Sequence, residues 1–191
     1  NHAPDPMDRE KQFDNSINPV WHLMERLDAE GPQPQENVGG GSPTFALHAG
    51  KAPWSCSPGT TCFWDANYGA NFEDLGFQPA AALLARVISR PGPNRICTDL
   101  GHKAVAAERP IDKRIQFFDF PEDAEPVIQS EEHLAYEVPD REAFHVGQEL
   151  YGLPGHICPT VALHEEAVII RDGRATDERW PVAARKRKIT V

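Results

Sequence analysis

No apolar stretch in these 191 residues approaches the roughly 20 residues a helix needs to cross a bilayer, so a membrane-spanning helix is excluded. Excess positive charge is missing as well. Lys and Arg total 19 against 29 Asp and Glu, for a net charge of −10, and that balance argues against nucleic acid or an anionic membrane surface as partner. Arg185-Lys186-Arg187-Lys188 is the one basic run, and so short a run reads as a solvated terminal strand. The four cysteines, at 56, 62, 97 and 158, show no paired spacing and so no disulfide framework, which makes a reducing cytoplasm the simpler expectation. The first residue is not Met, so whether a secretory signal precedes these residues is left open, and no internal repeat or long low-complexity tract appears within them.

What remains is a globular composition, 40% hydrophobic, at a length that holds one domain or a part-domain plus a small one. From about 7 to 29 the chain reads as a helix. Pro6 precedes it, Asp8 and Glu10 suit its first turn, Val20, Leu23, Met24 and Leu27 recur at helical spacing, and Gly31 stops it. Asn18-Pro19 predicts a break or a second short helix. After the turn-rich Gly31-Pro32-Gln33-Pro34 come an extended stretch at 36–38 and three glycines, the order of elements in the last units of an α/β barrel. Beyond about residue 77 the pattern changes to short apolar or alternating runs at 81–89, 95–99, 115–120, 127–138, 161–163, 167–171 and 180–184. Asp172-Gly173 is a hairpin turn signal. The fold class expected is α+β: the C-terminal part of an α/β (TIM-type) barrel over 1–76, followed by an antiparallel β domain over 77–191.

Two segments carry chemistry. In Gly155-His156-Ile157-Cys158-Pro159-Thr160, an extended backbone would turn His156 and Cys158 to one face, where imidazole nitrogen and thiolate could converge on one ion. Nitrogen plus sulfur favours zinc over magnesium or calcium. No other Cys or His lies at finger or ribbon spacing, so a metal held here keeps open positions, as catalytic sites do. The plain alternative is a buried cysteine beside a satisfied histidine. The second segment is Gly39-Gly40-Gly41-Ser42, where glycines would let backbone N–H groups approach an anion and the Ser hydroxyl would add a donor; a flexible turn is the alternative.

The run from Tyr151 to Leu163, then Ala167-Val168-Ile169-Ile170-Arg171-Asp172-Gly173 and Trp180-Pro181-Val182-Ala183-Ala184-Arg185, resembles the C-terminal signature of the D-threonine aldolase and D-serine dehydratase family. Further matches lie at Val38 to Thr44, Ser57 to Asp65, Asp99 to Ala104 and Ser130-Glu131-Glu132-His133, in the family's order and spacing. The resemblance implies a fold-type III pyridoxal-phosphate enzyme with an additional divalent metal. It assigns His156 and Cys158 as the metal's protein ligands, and Gly40, Gly41 and Ser42 to the cofactor phosphate. Zinc is the expected metal and manganese the alternative.

Family members are about twice this long and begin with a barrel bearing the Schiff-base lysine, so the chain is expected to be the C-terminal part of a longer protein. None of its lysines, Lys103 and Lys113 included, takes that role, and no catalytic residue is assigned. The implied activity is a lyase acting on small D-β-hydroxy amino acids in the cytoplasm, as a homodimer, by retro-aldol cleavage to glycine and an aldehyde. The fragment alone should be inactive. Dehydration and deamination of D-serine type is the alternative reaction, and a non-catalytic metal-binding β domain the alternative class. Ser130 to His133, expected inside a strand, is open between a place near the metal and a polar strand surface; His102-Lys103 reads as a structural turn and Trp180 as a core or interface aromatic.

Overall fold

The computed structural model describes residues 1–31, 34–50, 54–186 and 188–189, so the expected turn at Pro32-Gln33 and Arg187 of the basic run lie outside the described residues. Two compact units emerge, Asn1–Trp64 with Tyr68–Gln78, and Asp65–Asn67 with the chain from Pro79 onward.

In the first unit the predicted helix forms as α1, Pro6–Glu30. Asp5 caps it by accepting from the Asp8 N–H at 2.9 Å, and Pro6 begins it, where a missing N–H costs nothing. The expected break is absent, and Pro19 lies inside the helix. Asn15, Ser16, Asn18 and Pro19 are all exposed, so the carbonyl that Pro19 leaves without a donor is open to water. Buried Phe13 and Ile17 hold the helix instead, whereas Val20 and Leu23 of the predicted stripe are exposed. Arg9 shares that buried face. It pairs with Asp74, donates to the carbonyls of Ala3 and Pro4 at 3.2 and 3.1 Å, and stands 5.2 Å from the Phe72 ring centroid.

Strand β1 (Asn37–Gly40), the short helix α2 (Phe45–Ala49) and strand β2 (Trp54–Ser57) follow, with the two strands parallel and in register from Asn37↔Trp54 to Gly40↔Ser57. A crossover through a helix between parallel strands is barrel grammar. A last short helix, α3 (Ala66–Asn71), begins among residues of the second unit and ends in the first. Trp64, buried and at a positive φ of 53°, packs against Tyr68 and Phe77, which closes the first unit with aromatic rings.

The second unit is built on six antiparallel strands: β3 (Leu83–Ser89), β4 (Arg95–Thr98), β5 (Ile115–Phe117), β6 (Glu125–Gln129), β7 (Leu134–Glu137) and β8 (Glu149–Pro154), in the order β5-β8-β3-β4-β7-β6. Ala85, Val87, Ile96, Phe117, Leu134, Tyr136 and Leu150 are buried together beneath it. Helix α4 (Ile157–Val161) leaves β8 directly, and β9 (Glu166–Arg171) pairs with β10 (Arg174–Pro181) as a separate hairpin. The turn between them is Asp172-Gly173, as predicted, with φ of 50° and 71°.

Four sequence expectations change here. The run 127–138 is a hairpin, because the Ser130 N–H bonds the His133 carbonyl at 2.8 Å and closes a turn between β6 and β7. Residues 161–163 end a helix rather than form a strand, with the Leu163 N–H bonded to the Thr160 carbonyl. At the chain's end β10 stops at Pro181, and Ala183–Arg185 is a 3₁₀ turn rather than strand. Of the two readings of Trp180, core or interface aromatic, the core one falls, since the residue is 53% exposed and donates to Glu178 at 2.7 Å. Among the described residues no helix is long and apolar enough to cross a membrane.

Candidate metal and phosphate sites

The sequence read 156–158 as extended, but the structure starts a helix there. His156 is the extended N-cap of α4, with φ −149° and ψ 106°, and Cys158 is the helix's second residue. Pro159 stands in the first turn, where its missing N–H goes unused. The i, i+2 same-face argument therefore does not apply, and the two residues stand instead at the cap and in the first turn of α4.

That turn is pinned from several sides. Gly155 is glycine because nothing larger fits: a Cβ there would lie 1.8 Å from the Lys113 carbonyl oxygen. Its N–H bonds the Arg114 carbonyl at 2.8 Å, and its carbonyl accepts from Arg109 Nη1 at 3.2 Å. The N–H of Ile157, the peptide between the two candidate ligands, donates at 3.0 Å to the buried carboxylate of Asp65. Thr160, 1% exposed, donates from Oγ1 to the His156 carbonyl at 2.7 Å and accepts from the Ala106 N–H at 3.2 Å. Gly155 and Thr160 of the Gly-His-x-Cys-Pro-Thr segment thus meet a packing and hydrogen-bond requirement of the turn.

His156 Nδ1 lies 2.5 Å from Glu108 Oε1, a contact between residues far apart in sequence that no local motif signals. Burial pushes the Glu108 carboxyl up, but its own backbone N–H, the hydrogen bond and charge of His156, and Arg109 together hold it below its ordinary value. Among the described residues His156 Nε2 has no hydrogen-bond partner. Cys158 is exposed, and none of the four cysteines is in a disulfide. One imidazole nitrogen and one thiol fit the donor preference of zinc. Among the described residues no group of three or more His, Cys, Asp or Glu side chains is placed to hold a metal ion.

The glycine loop lies in the first unit. Gly40 and Gly41 line a cavity of about 220 Å³ together with His2, Ser16, Thr44 and His48. Gly41 has a φ of 92°, in the region that favours glycine, and a Cβ at Gly40 would meet nothing within 4 Å. Gly39 serves packing: a Cβ there would come within 2.4 Å of the His48 ring. Among the described residues, no backbone hydrogen bond outside the strand ladder takes the N–H of Gly41 or Ser42. Ser42 is buried and does not line the cavity; its Oγ accepts from the Thr60 N–H at 3.1 Å and so ties the loop to the segment after β2. Sequence reasoning missed Thr44 and His48. Burial lowers the His48 pKa, which keeps the ring neutral, and its buried Nδ1 has no hydrogen-bond partner. The cavity with its glycine wall and that orphaned nitrogen fits a polar, anionic group.

Gly40→Ala should leave the unfolding midpoint unchanged, since open space receives the methyl. If the loop cradles an anion, the same variant should weaken inorganic phosphate by about tenfold, or about 1.4 kcal/mol, by narrowing the approach to the loop. A phosphate titration measures it, and unchanged affinity would contradict the cradle.

The remaining motifs meet in a turn. Gly101 backs onto the 130–133 turn so closely that a Cβ would sit 2.0 Å from the Glu131 carbonyl oxygen. The N–H groups of His102 and Lys103 bond the carbonyls of Ser130 and Glu131 at 2.9 and 3.0 Å. Lys103 Nζ lies between Glu131 and Glu132 at 2.8 and 2.9 Å, and the two carboxylates hold its ammonium charged, unsuited to nucleophilic work. His133 is exposed in that turn rather than inside a strand.

The chain matches the family model described as "Putative serine dehydratase domain" over residues 80–170. It is 31% identical over 151 residues to the D-threonine aldolase of an Arthrobacter species, a match covering 78% of this chain and 39% of the relative. It is 28% identical over 186 residues to the 3-hydroxy-D-aspartate aldolase of Paracoccus denitrificans, covering 93% of this chain and 46% of the relative. The chain thus spans less than half the length of these curated relatives. The crystal structure of D-threonine aldolase from Filomicrobium marinum superposes with a TM-score of 0.84 at 26% identity, covering 96% of this chain and 50% of that one. That likeness takes in the parallel pair as well as the antiparallel sheet, as expected for the end of an α/β barrel followed by a β domain. The chain belongs to the D-threonine aldolase and D-serine dehydratase family.

Proposed function

We propose that this chain forms the C-terminal part of a pyridoxal-phosphate- and metal-dependent lyase that cleaves small D-β-hydroxy amino acids to glycine and an aldehyde. His156 and Cys158 hold one divalent cation, zinc by preference over manganese, and the backbone at Gly40 and Gly41 holds the cofactor phosphate. The observation that carries the reading is the anchored turn into α4, where His156 spends Nδ1 on Glu108 and keeps Nε2, two residues before an exposed thiol. Residues 1–76 are read as the last part of the cofactor barrel and 77–191 as the metal-bearing β domain. In support, Val38 on β1 is 55% exposed, whereas barrel strands are ordinarily covered on both faces.

When bound, the cofactor supplies an electron sink and the cation a Lewis acid for the substrate's β-hydroxyl. The chain's own residues supply position. Asp65, Thr160 and Gly155 fix the backbone from which His156 and Cys158 project, so little ordering remains on binding the ion. His48, whose buried Nδ1 has no hydrogen-bond partner, adds a polar group to the wall of that cavity. The Schiff-base lysine is assigned to sequence outside this chain, consistent with the state of Lys103.

The relatives named for D-threonine and for 3-hydroxy-D-aspartate support the aldol reading, and the serine dehydratase description of the family model supports dehydration as the alternative. Full-length protein should therefore release glycine and an aldehyde from D-threonine, leave L-threonine untouched, and stop on exhaustive chelation. Ammonia release from D-serine without glycine from D-threonine would assign the dehydratase reaction instead, and full activity after metal removal would refute the metal's part.

A further inference from the structure

We infer that Glu108 is the positioning residue of the metal site: its carboxylate accepts the Nδ1 proton of His156, fixes the imidazole's tautomer and plane, and presents Nε2 to the ion. The inference rests on the proposed role of His156 and Cys158 and adds a residue to it.

Three observations converge. The Oε1 to Nδ1 distance is 2.5 Å, a short charge-assisted hydrogen bond that occupies one ring nitrogen and leaves the other. The segment bearing Glu108 is stitched to the ligand segment on both sides, by the Ala106 N–H to Thr160 Oγ1 at 3.2 Å and by Arg109 Nη1 to the Gly155 carbonyl at 3.2 Å. A carboxylate so placed is not a passing surface contact. Finally, both side chains are close to half exposed, 43% for His156 and 47% for Glu108, and a hydrogen-bonded polar pair in that setting contributes little to folding. Stability alone does not account for so specific a brace, whereas orientation of a ligand does. A carboxylate on the far nitrogen of a metal-bound imidazole also raises its basicity.

Glu108 is not itself read as a third ligand. Its carboxylate is engaged by His156, and no group of three metal-ligating side chains exists among the described residues.

The test measures zinc affinity of the full chain by competition with a chromophoric chelator, in wild type, Glu108→Ala, Glu108→Gln, His156→Ala and Cys158→Ala. Cobalt(II) serves as a spectroscopic probe alongside. Glu108→Ala should bind zinc about 10- to 100-fold more weakly while the metal-free melting curve is unchanged. Glu108→Gln, whose amide oxygen still accepts from Nδ1 but carries no charge, should fall between it and wild type. The sulfur-to-cobalt charge-transfer band should persist in both Glu108 variants at higher cobalt and vanish in Cys158→Ala. Wild-type affinity in Glu108→Ala would overturn the inference and leave the metal reading standing. A loss as complete as that of His156→Ala would also overturn it, by making Glu108 a ligand. If wild type binds neither ion, or if His156→Ala and Cys158→Ala bind as wild type does, the metal reading itself has failed.

Discussion

Replacing Cys158 by alanine in full-length protein should lower turnover of D-threonine by on the order of a thousandfold, while pyridoxal phosphate affinity and the melting temperature stay close to wild type. The magnitude follows from the chemistry: a Lewis acid at the reacting hydroxyl is worth several kcal/mol, and each 1.36 kcal/mol is tenfold in rate. The selectivity follows from the structure. Cys158 is exposed on the first turn of α4, so removal of its sulfur opens no cavity in the core. Steady-state kinetics beside a cofactor titration separates the two effects. A turnover loss matched by an equal loss of cofactor binding, or of stability, would mean that the thiol supports the fold rather than an ion.

The second large effect is expected at Gly155. A Cβ 1.8 Å from the Lys113 carbonyl oxygen meets backbone, which cannot rotate away. Gly155→Ala must therefore push β8 away from β5, weakening the bond from the Gly155 N–H to the Arg114 carbonyl and that from Arg109 to the Gly155 carbonyl. We expect a loss of about 3 kcal/mol, the upper end for overpacking a tight site, visible as a lower urea midpoint. Zinc affinity should fall with it, since His156 is the next residue. A Gly155→Ala protein as stable as wild type would contradict the geometry of the turn.

The sequence showed some of these features and hid others, for physical reasons. The hairpin at Asp172-Gly173 was legible because two successive positive φ values restrict residue choice to such pairs. The first barrel-type strand was legible from helix, strand and glycine loop in order, whereas its parallel partner β2, a four-residue strand, was not. Strand β8 was not, because Gly152, Pro154 and Gly155 read as breakers. In the fold Gly152 is the price of close approach, its missing Cβ leaving room for the Gln116 carbonyl of β5 at 2.8 Å. Pro19 misled in the same way, since a proline on a solvated helix face can be carried when Phe13 and Ile17 supply tertiary packing. At the site, the identities of His156 and Cys158 were visible but their backbone was not. The helix start depends on Asp65, 92 positions away from the Ile157 N–H it accepts from. Glu108 was invisible for the same reason, as 48 positions separate it from His156 and no short motif spans them.

If one zinc ion is held by His156 and Cys158, X-ray absorption at the zinc edge of zinc-loaded full-length protein should show one sulfur near 2.3 Å with nitrogen or oxygen neighbours at about 2.0 to 2.2 Å, the sulfur shell disappearing in Cys158→Ala. A wild-type spectrum with no sulfur shell, or one that Cys158→Ala leaves unchanged, would contradict it.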